Sequence, residues 1–254
     1  MEIKQIGVVG AGVMGSGIAQ AFALAGLPVV INYTSEAARE KALATISGSM
    51  DRMIKKETLT DVRKMEALAR ISTARDLAPL AECDLLIEAV TENEALKLEV
   101  FNKLDTVARP DAILASNTSS LSITKLAAAT RRPAQAIGMH FFNPVPMMAL
   151  VEIISGLQTS VETRLAVEAV AQRIGKTPVK VRNSPGFVVN RLLCPMVNEA
   201  IFALAEGLAT PAEIDDAMKL GANHPIGPLA LCDLIGLDVV NTHDQALGKV
   251  LGLI

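Results

Sequence analysis

The chain has 254 residues, half of them apolar, with a formal net charge of −3 and an isoelectric point near 5.7. That balance argues against a general nucleic-acid binder or a binder of anionic membranes, and no apolar stretch is long enough to span a bilayer. Length and apolar content allow one large domain or two unequal ones around a sizeable core.

The first strand is predicted over Ile3–Val9, so no leader peptide is expected ahead of it. It runs into Gly10-Ala11-Gly12-Val13-Met14-Gly15, and a helix is predicted from Val13 to Ala25 with Gly26 as its C-terminal stop. This is G-x-G-x-x-G opening from strand into helix, the context dinucleotide binding requires. Gly10 allows the tight turn, Gly12 lets backbone approach a pyrophosphate, and Gly15 lets helix and strand pack closely. The N–H groups of the helix start, at Val13 and Met14, face the phosphates with the positive end of the helix dipole.

A second strand, Val29–Tyr33, should end in an acid that accepts hydrogen bonds from the adenine ribose. The chain instead has Asn32-Tyr33-Thr34-Ser35, with Glu36 on the following helix. Asn32 or Thr34 can still bond the ribose, and Arg39 lies within a turn. Loss of the carboxylate removes the repulsion that excludes a 2′-phosphate, which leaves NAD against NADP open.

Residues 36–69 read as helices, and their basic cluster Arg52, Lys55 and Lys56 reads from composition as a solvated face. A second strand–helix alternation follows, with strands over 70–73, 84–90 and 112–115 and a helix containing Lys97. The run Ser116-Asn117-Thr118-Ser119-Ser120 lies just past a strand's C-terminal end, where open α/β sheets bind ligands. Capping of the next helix, Ile123–Thr130, accounts for one of these residues but not five.

The run Ile137–Phe142 then delivers His140 to a turn stopped by Pro144 and Pro146, and Leu150–Ile154 returns with Glu152 as its one acid. A carboxylate between Val151 and Ile153 is costly to bury unpaired, and His140 is the nearest partner across the turn. Such a pairing fixes an imidazole tautomer and steadies its charged form, as a general base needs. The alternative is a strand-capping histidine with Glu152 facing solvent. After a helix over 162–175 and a strand over 178–181, Ser184-Pro185-Gly186 is a break, and the rest reads as helix: 188–206, 211–219 and 229 onward. The expected fold class is therefore α/β, with a doubly wound Rossmann-type domain over 1–183 and a smaller all-helical domain over 184–254. Cys83, Cys194 and Cys232 have neither disulfide-like nor metal-like spacing, so no metal is expected and a reducing, cytoplasmic setting is the default.

Five stretches resemble one family, the short-chain 3-hydroxyacyl-CoA dehydrogenases, and within it the bacterial 3-hydroxybutyryl-CoA dehydrogenases. They are Gly10–Gln20, Ala115–Thr124, Gly138–Pro146, Ser184–Leu192 and Ala217–Pro225. The resemblance implies an NAD-linked enzyme that interconverts (S)-3-hydroxyacyl-CoA and 3-ketoacyl-CoA. It implies His140 as the base and Glu152 as its orienting partner, with Ser119 and Asn190 hydrogen-bonding the reacting oxygen. It further implies Glu92, Lys97, Asn117 and Asn143 around the ribose and nicotinamide, and Ser49 and Lys56 on coenzyme A. An acyl-CoA substrate and a homodimer follow, the latter weakened if the C-terminus is short. Two departures stand out: Tyr33 replaces the family's ribose-binding aspartate, and the likeness fades after Asp238, where the closing segment of the helical domain is missing. Two other readings stay open, a related β-hydroxyacid dehydrogenase on a non-CoA substrate and a non-catalytic nucleotide-binding relative.

Overall fold

The structure is a computed structural model and describes residues 2–236. The chain divides into two compact units between Asn183 and Ser184.

The first unit is built on one eight-stranded sheet. Its strands are β1 (Ile6–Val9), β2 (Val29–Asn32), β3 (Ile71–Ala74), β4 (Leu85–Glu88), β5 (Ile113–Ser116), β6 (Ala136–Phe141), β7 (Leu150–Ser155) and β8 (Thr177–Arg182). They lie in the order β3-β2-β1-β4-β5-β6-β7-β8, all pairs parallel except β6–β7. The helices are α1 (Val13–Leu24), α2 (Glu36–Lys55), α3 (Asp61–Ala69), α4 (Glu94–Val107), α5 (Ile123–Ala128) and α6 (Val161–Arg173).

The apolar runs explain this layering. Strands covered on both faces need unbroken apolar sequence, and every residue of β1, β2, β4, β5 and β6 is buried. The edge strands β3 and β8 are partly exposed, and β8 carries Pro178, Lys180 and Arg182, residue types that blunt a sheet edge. The first strand is shorter than Ile3–Val9: Ile3 is buried in the core, but the parallel ladder begins only at Ile6 opposite Val29. Strand order reverses at β1, between β2 and β4, and the crevice at the C-terminal ends of β1 and β4 is where such sheets take ligands.

The second unit is helical, with α7 (Val189–Ala205), α8 (Pro211–Gly221) and α9 (Pro228–Ile235). Thr210 and Glu213 form a capping box at the start of α8. Asp215 accepts from the Leu229 and Ala230 amides at 2.8 and 3.0 Å, which caps α9 and ties it to α8. Val197 of α7 and Cys232 of α9 are the buried centre, with Leu193, Ile201 and Ile235 packed against them. The stretch after Asp238, where the family likeness is expected to fade, lies outside the described residues.

Candidate active site

The glycine turn comes first. Gly10 has φ +114°, and a Cβ there would sit 2.6 Å from the Ala89 carbonyl oxygen; a Cβ on Gly15 would overlap the Gly10 carbonyl at 1.8 Å. Those two glycines are demanded by backbone crowding. Gly12 differs, because a Cβ on it would meet nothing within 4 Å. Its bare face is open, as close approach by a ligand requires. Helices α2 to α6 are each capped by a side chain, from Ser35, Thr60, Asn93, Ser122 and Ser160, whereas α1 has Gly12 at its N-cap and no side-chain cap. The leading N–H groups of α1, at Val13 and Met14, therefore face an uncapped end with a positive dipole. These features fit the pyrophosphate of a dinucleotide.

The second component is the β6–β7 hairpin. His140 and Glu152 are directly opposed in the antiparallel ladder, and His140 Nδ1 lies 2.7 Å from Glu152 Oε2. Glu152 is completely buried and His140 is 5 % exposed. A carboxylate can only accept, so Nδ1 carries the proton and the basic lone pair of the ring is on Nε2. The Phe142 ring lies 4.4 Å from the imidazole, centroid to centroid, and limits its tilt. The turn that follows is held from two sides. A Cβ on Gly17 of α1 would come within 2.9 Å of Val145, so helix and turn are in direct contact. Lys176 donates to the Val145 and Met148 carbonyls at 2.5 and 2.7 Å, and burial pushes its ammonium pKa down. Asn143, in this turn, is exposed.

Between these parts runs a polar network. Glu88 closes β4, fully buried; it accepts from Lys97 Nζ at 2.6 Å, Ser116 Oγ at 2.6 Å and the Val90 amide at 2.7 Å. Lys97, itself 1 % exposed, also reaches the Val90 carbonyl at 3.2 Å and Glu92 at 3.3 Å. Glu92 in turn accepts from the Ser119 amide at 3.1 Å, the Ser120 amide at 3.2 Å, the Ser120 hydroxyl at 3.0 Å and the Thr118 hydroxyl. Burial raises the Glu92 pKa, but the Lys97 charge and the Thr118 and Ser120 hydroxyls outweigh it and hold the carboxyl below its ordinary value. Asn117 Oδ1 accepts from the Phe141 amide at 2.9 Å, which fastens this loop beside the histidine.

The run 116–120 is thus explained by ligation of two carboxylates and of β6, and the cap of α5 comes from Ser122 just outside it. Glu88 was not among the candidate residues read from sequence. The signal was present: like Glu152, it is the one acid in an otherwise apolar strand. Asn32 also departs from expectation. It is buried, and its amide donates to the carbonyls of Ala74, Arg75 and Asp76 at 3.1, 3.1 and 3.2 Å, so it fastens β2 to the end of β3. Ser49 and Lys56 lie seven residues apart near the C-terminal end of α2, on one face of the helix about two turns apart. Asn190 is half-buried in the first turn of α7, in the second unit.

Comparison with known proteins agrees with this geometry. The 3-hydroxyacyl-CoA dehydrogenase NAD binding domain matches residues 5–184, and the C-terminal domain of the same family matches residues 186–252, so the likeness continues past Asp238, where it was expected to fade. The chain belongs to the 3-hydroxyacyl-CoA dehydrogenase family. A probable 3-hydroxybutyryl-CoA dehydrogenase from Bacillus subtilis is 51% identical over 252 residues, covering 99% of this chain and 88% of that protein. The rat mitochondrial hydroxyacyl-coenzyme A dehydrogenase is 44% identical over 242 residues, covering 93% of this chain and 77% of the rat protein. The crystal structure of (S)-3-hydroxybutyryl-CoA dehydrogenase from Ralstonia eutropha superposes with a TM-score of 0.95 at 56% identity, covering 98% of this chain and 88% of that one. The first unit is therefore the family's nicotinamide-dinucleotide domain, and its glycine turn and buried His–Glu pair sit on the β1–α1 and β6–β7 elements of that domain.

Proposed function

We propose that this chain is an NAD-dependent (S)-3-hydroxyacyl-CoA dehydrogenase acting on short acyl chains, with 3-hydroxybutanoyl-CoA and acetoacetyl-CoA as the substrate pair. The observation that carries the reading is the buried His140–Glu152 pair at 2.7 Å, near the C-terminal end of β6 in a dinucleotide-binding sheet. When bound, the nicotinamide supplies the hydride acceptor for oxidation and the donor for reduction.

His140 takes the proton from the 3-hydroxyl on Nε2 during oxidation and returns it to the forming alkoxide during reduction. Glu152 holds the ring through Nδ1–H and offsets the charge that appears on the imidazolium. Ser119 and Asn190 position the reacting oxygen. Gly10, Gly12 and Gly15 shape the phosphate turn. Glu92, Lys97, Asn117 and Asn143 line the ribose and nicotinamide side, the first three on segments joined through Glu88, which bonds Lys97, Ser116 and the Val90 amide. Ser49 and Lys56 meet the coenzyme A phosphates at the end of α2, where Arg52 and Lys55 add positive charge. A homodimer belongs to the same reading: in the helical unit Leu192, Phe202, Leu220 and Leu234 are each more than half exposed. Three buried cysteine thiols agree with a cytoplasmic setting.

The test is acetoacetyl-CoA reduction followed by nicotinamide absorbance, with acetoacetate and gulonate as non-CoA comparisons. Turnover should require the thioester. His140→Gln should lower kcat by about a hundredfold or more while leaving NADH affinity unchanged. A wild-type protein that binds NADH yet never oxidises it with acetoacetyl-CoA would overturn the proposal.

A further inference from the structure

The end of β2 lacks an acid in the position where dinucleotide folds usually place one, but a carboxylate, Glu36, follows three residues later and is bonded to the Tyr33 side chain that occupies that position. The segment after β2 lies beside the glycine turn: Val9 and Asn32 are paired in the ladder, and the Gly10 amide donates to the Asn32 carbonyl at 3.2 Å. Its polar side chains can be taken one by one. The Asn32 amide nitrogen is committed to the carbonyls of 74–76, which leaves its buried Oδ1, and Thr34 offers an exposed hydroxyl but no charge. Ser35 accepts from the Ala38 amide at 3.2 Å as the cap of α2. The Tyr33 hydroxyl donates to Glu36 Oε1 at 2.8 Å, and Arg39 Nε donates to Glu36 Oε2 at 2.7 Å. Each carboxylate oxygen accepts more than one hydrogen bond, so Glu36 is anchored at both oxygens and still has acceptor capacity.

We infer that Glu36, reached through Tyr33 and steadied by Arg39, is the cofactor-specificity residue of this chain. It supplies the acceptor for the adenine ribose hydroxyls and the negative charge that rejects a 2′-phosphate. The inference rests on the nicotinamide-dehydrogenase reading above and deepens it. The aromatic at position 33 then does not relax specificity; from just past β2 it holds the acid, three residues on, in place. The hydrogen bonds from Tyr33 and Arg39 keep the Glu36 carboxyl below its usual range, and the Tyr33 phenol is pushed up by its bond to Glu36, so the donor and acceptor roles persist at neutral pH. Arg75 acts on the same group as a second positive charge. Without the carboxylate, two guanidinium groups would face the ribose end, an arrangement that favours a phosphate dianion.

The test is direct binding, by calorimetric titration of NADH and NADPH into the purified full-length protein and two variants. Wild type should bind NADH more tightly. Glu36→Gln should move the NADPH-to-NADH affinity ratio toward NADPH by about tenfold or more, since it removes like-charge repulsion at a few ångströms and releases Arg39. Tyr33→Phe, which loosens the acid without removing its charge, should move the ratio in the same direction by less. Glu36 is exposed, so the melting temperature of each variant should match wild type. Wild type that binds NADPH as tightly as NADH, or a Glu36→Gln ratio within twofold of wild type, would refute the role of Glu36 and leave the dehydrogenase reading intact. Wild type that binds neither dinucleotide would remove both.

Discussion

Replacing Lys97 by Met isolates the buried network that joins the nucleotide loops. Lys97 Nζ is the cationic partner of Glu88 at 2.6 Å, with the two side chains 1 % and 0 % exposed. The substitution keeps most of the aliphatic stem and removes the charge, so Glu88 retains only Ser116 Oγ and the Val90 amide. Stripping one partner from a buried ion pair costs about 3–5 kcal/mol, because the remaining charge is left without compensation in a low-dielectric interior. For a chain of this size each kcal/mol corresponds to roughly 2–4 °C, so the melting temperature should fall by about 6–20 °C. Calorimetric melting without cofactor is the assay. Glu88→Gln combined with Lys97→Met should recover most of the loss, since the fully buried charge is then gone and Glu92, which is partly exposed, keeps its Thr118 and Ser120 hydroxyl donors. A single variant that melts within about 2 °C of wild type, or a double variant no better than the single, would show that water or relaxation satisfies Glu88 and that the network is not held by this pair.

The glycine turn and the acidic loop give two further expectations. Gly12→Ala should fold with an unchanged melting temperature, since its Cβ would meet nothing within 4 Å, yet weaken dinucleotide binding about tenfold or more by filling the space needed for pyrophosphate. Equal NADH affinity in that variant would mean the phosphates lie elsewhere. The Glu92 carboxyl, held below its ordinary value of 4.5, contributes stability that is present above that pH and lost as pH falls through its lower folded value. In an acid titration of stability, Glu92→Gln should therefore flatten the limb below pH 4.5 and leave the shape of the profile near pH 7 unaltered. An unchanged acid limb would place the dependence on other carboxylates, with Asp105, pushed up by burial but lowered on balance by Arg132 and Arg131, the next to test.

The α/β architecture and the order of its elements were legible in the sequence because buried parallel strands leave short apolar runs, such as Leu85–Ile87 and Ile113–Ala115, between amphipathic helices. The His140–Glu152 pairing was legible for a different reason: a lone acid among aliphatic neighbours has few places to find a partner. The same argument applied to Glu88 and was missed, since its partner Lys97 lies on the next helix rather than across a hairpin. The Tyr33–Glu36 hydrogen bond at the end of β2 was not legible in the sequence. A tyrosine long enough to reach the first turn of α2 brings Glu36 into the neighbourhood, and no pattern of adjacent residues announces that reach. Asn32 looked available to a ligand because its three carbonyl partners lie more than forty residues away along the chain.

Because His140 and Glu152 face each other as cross-strand neighbours, their meeting is dictated by the hairpin ladder, not by the residues between the strands. A single-residue deletion inside β6 or β7 would turn one side chain to the opposite face of the sheet and separate acid from ring, with the composition of the pair untouched. The bend between the strands is constrained in a different way, by carbonyls rather than side chains: Lys176 holds those of Val145 and Met148, and the Thr177 amide holds that of Ala149, so an insertion there would break bonds without turning either side chain over.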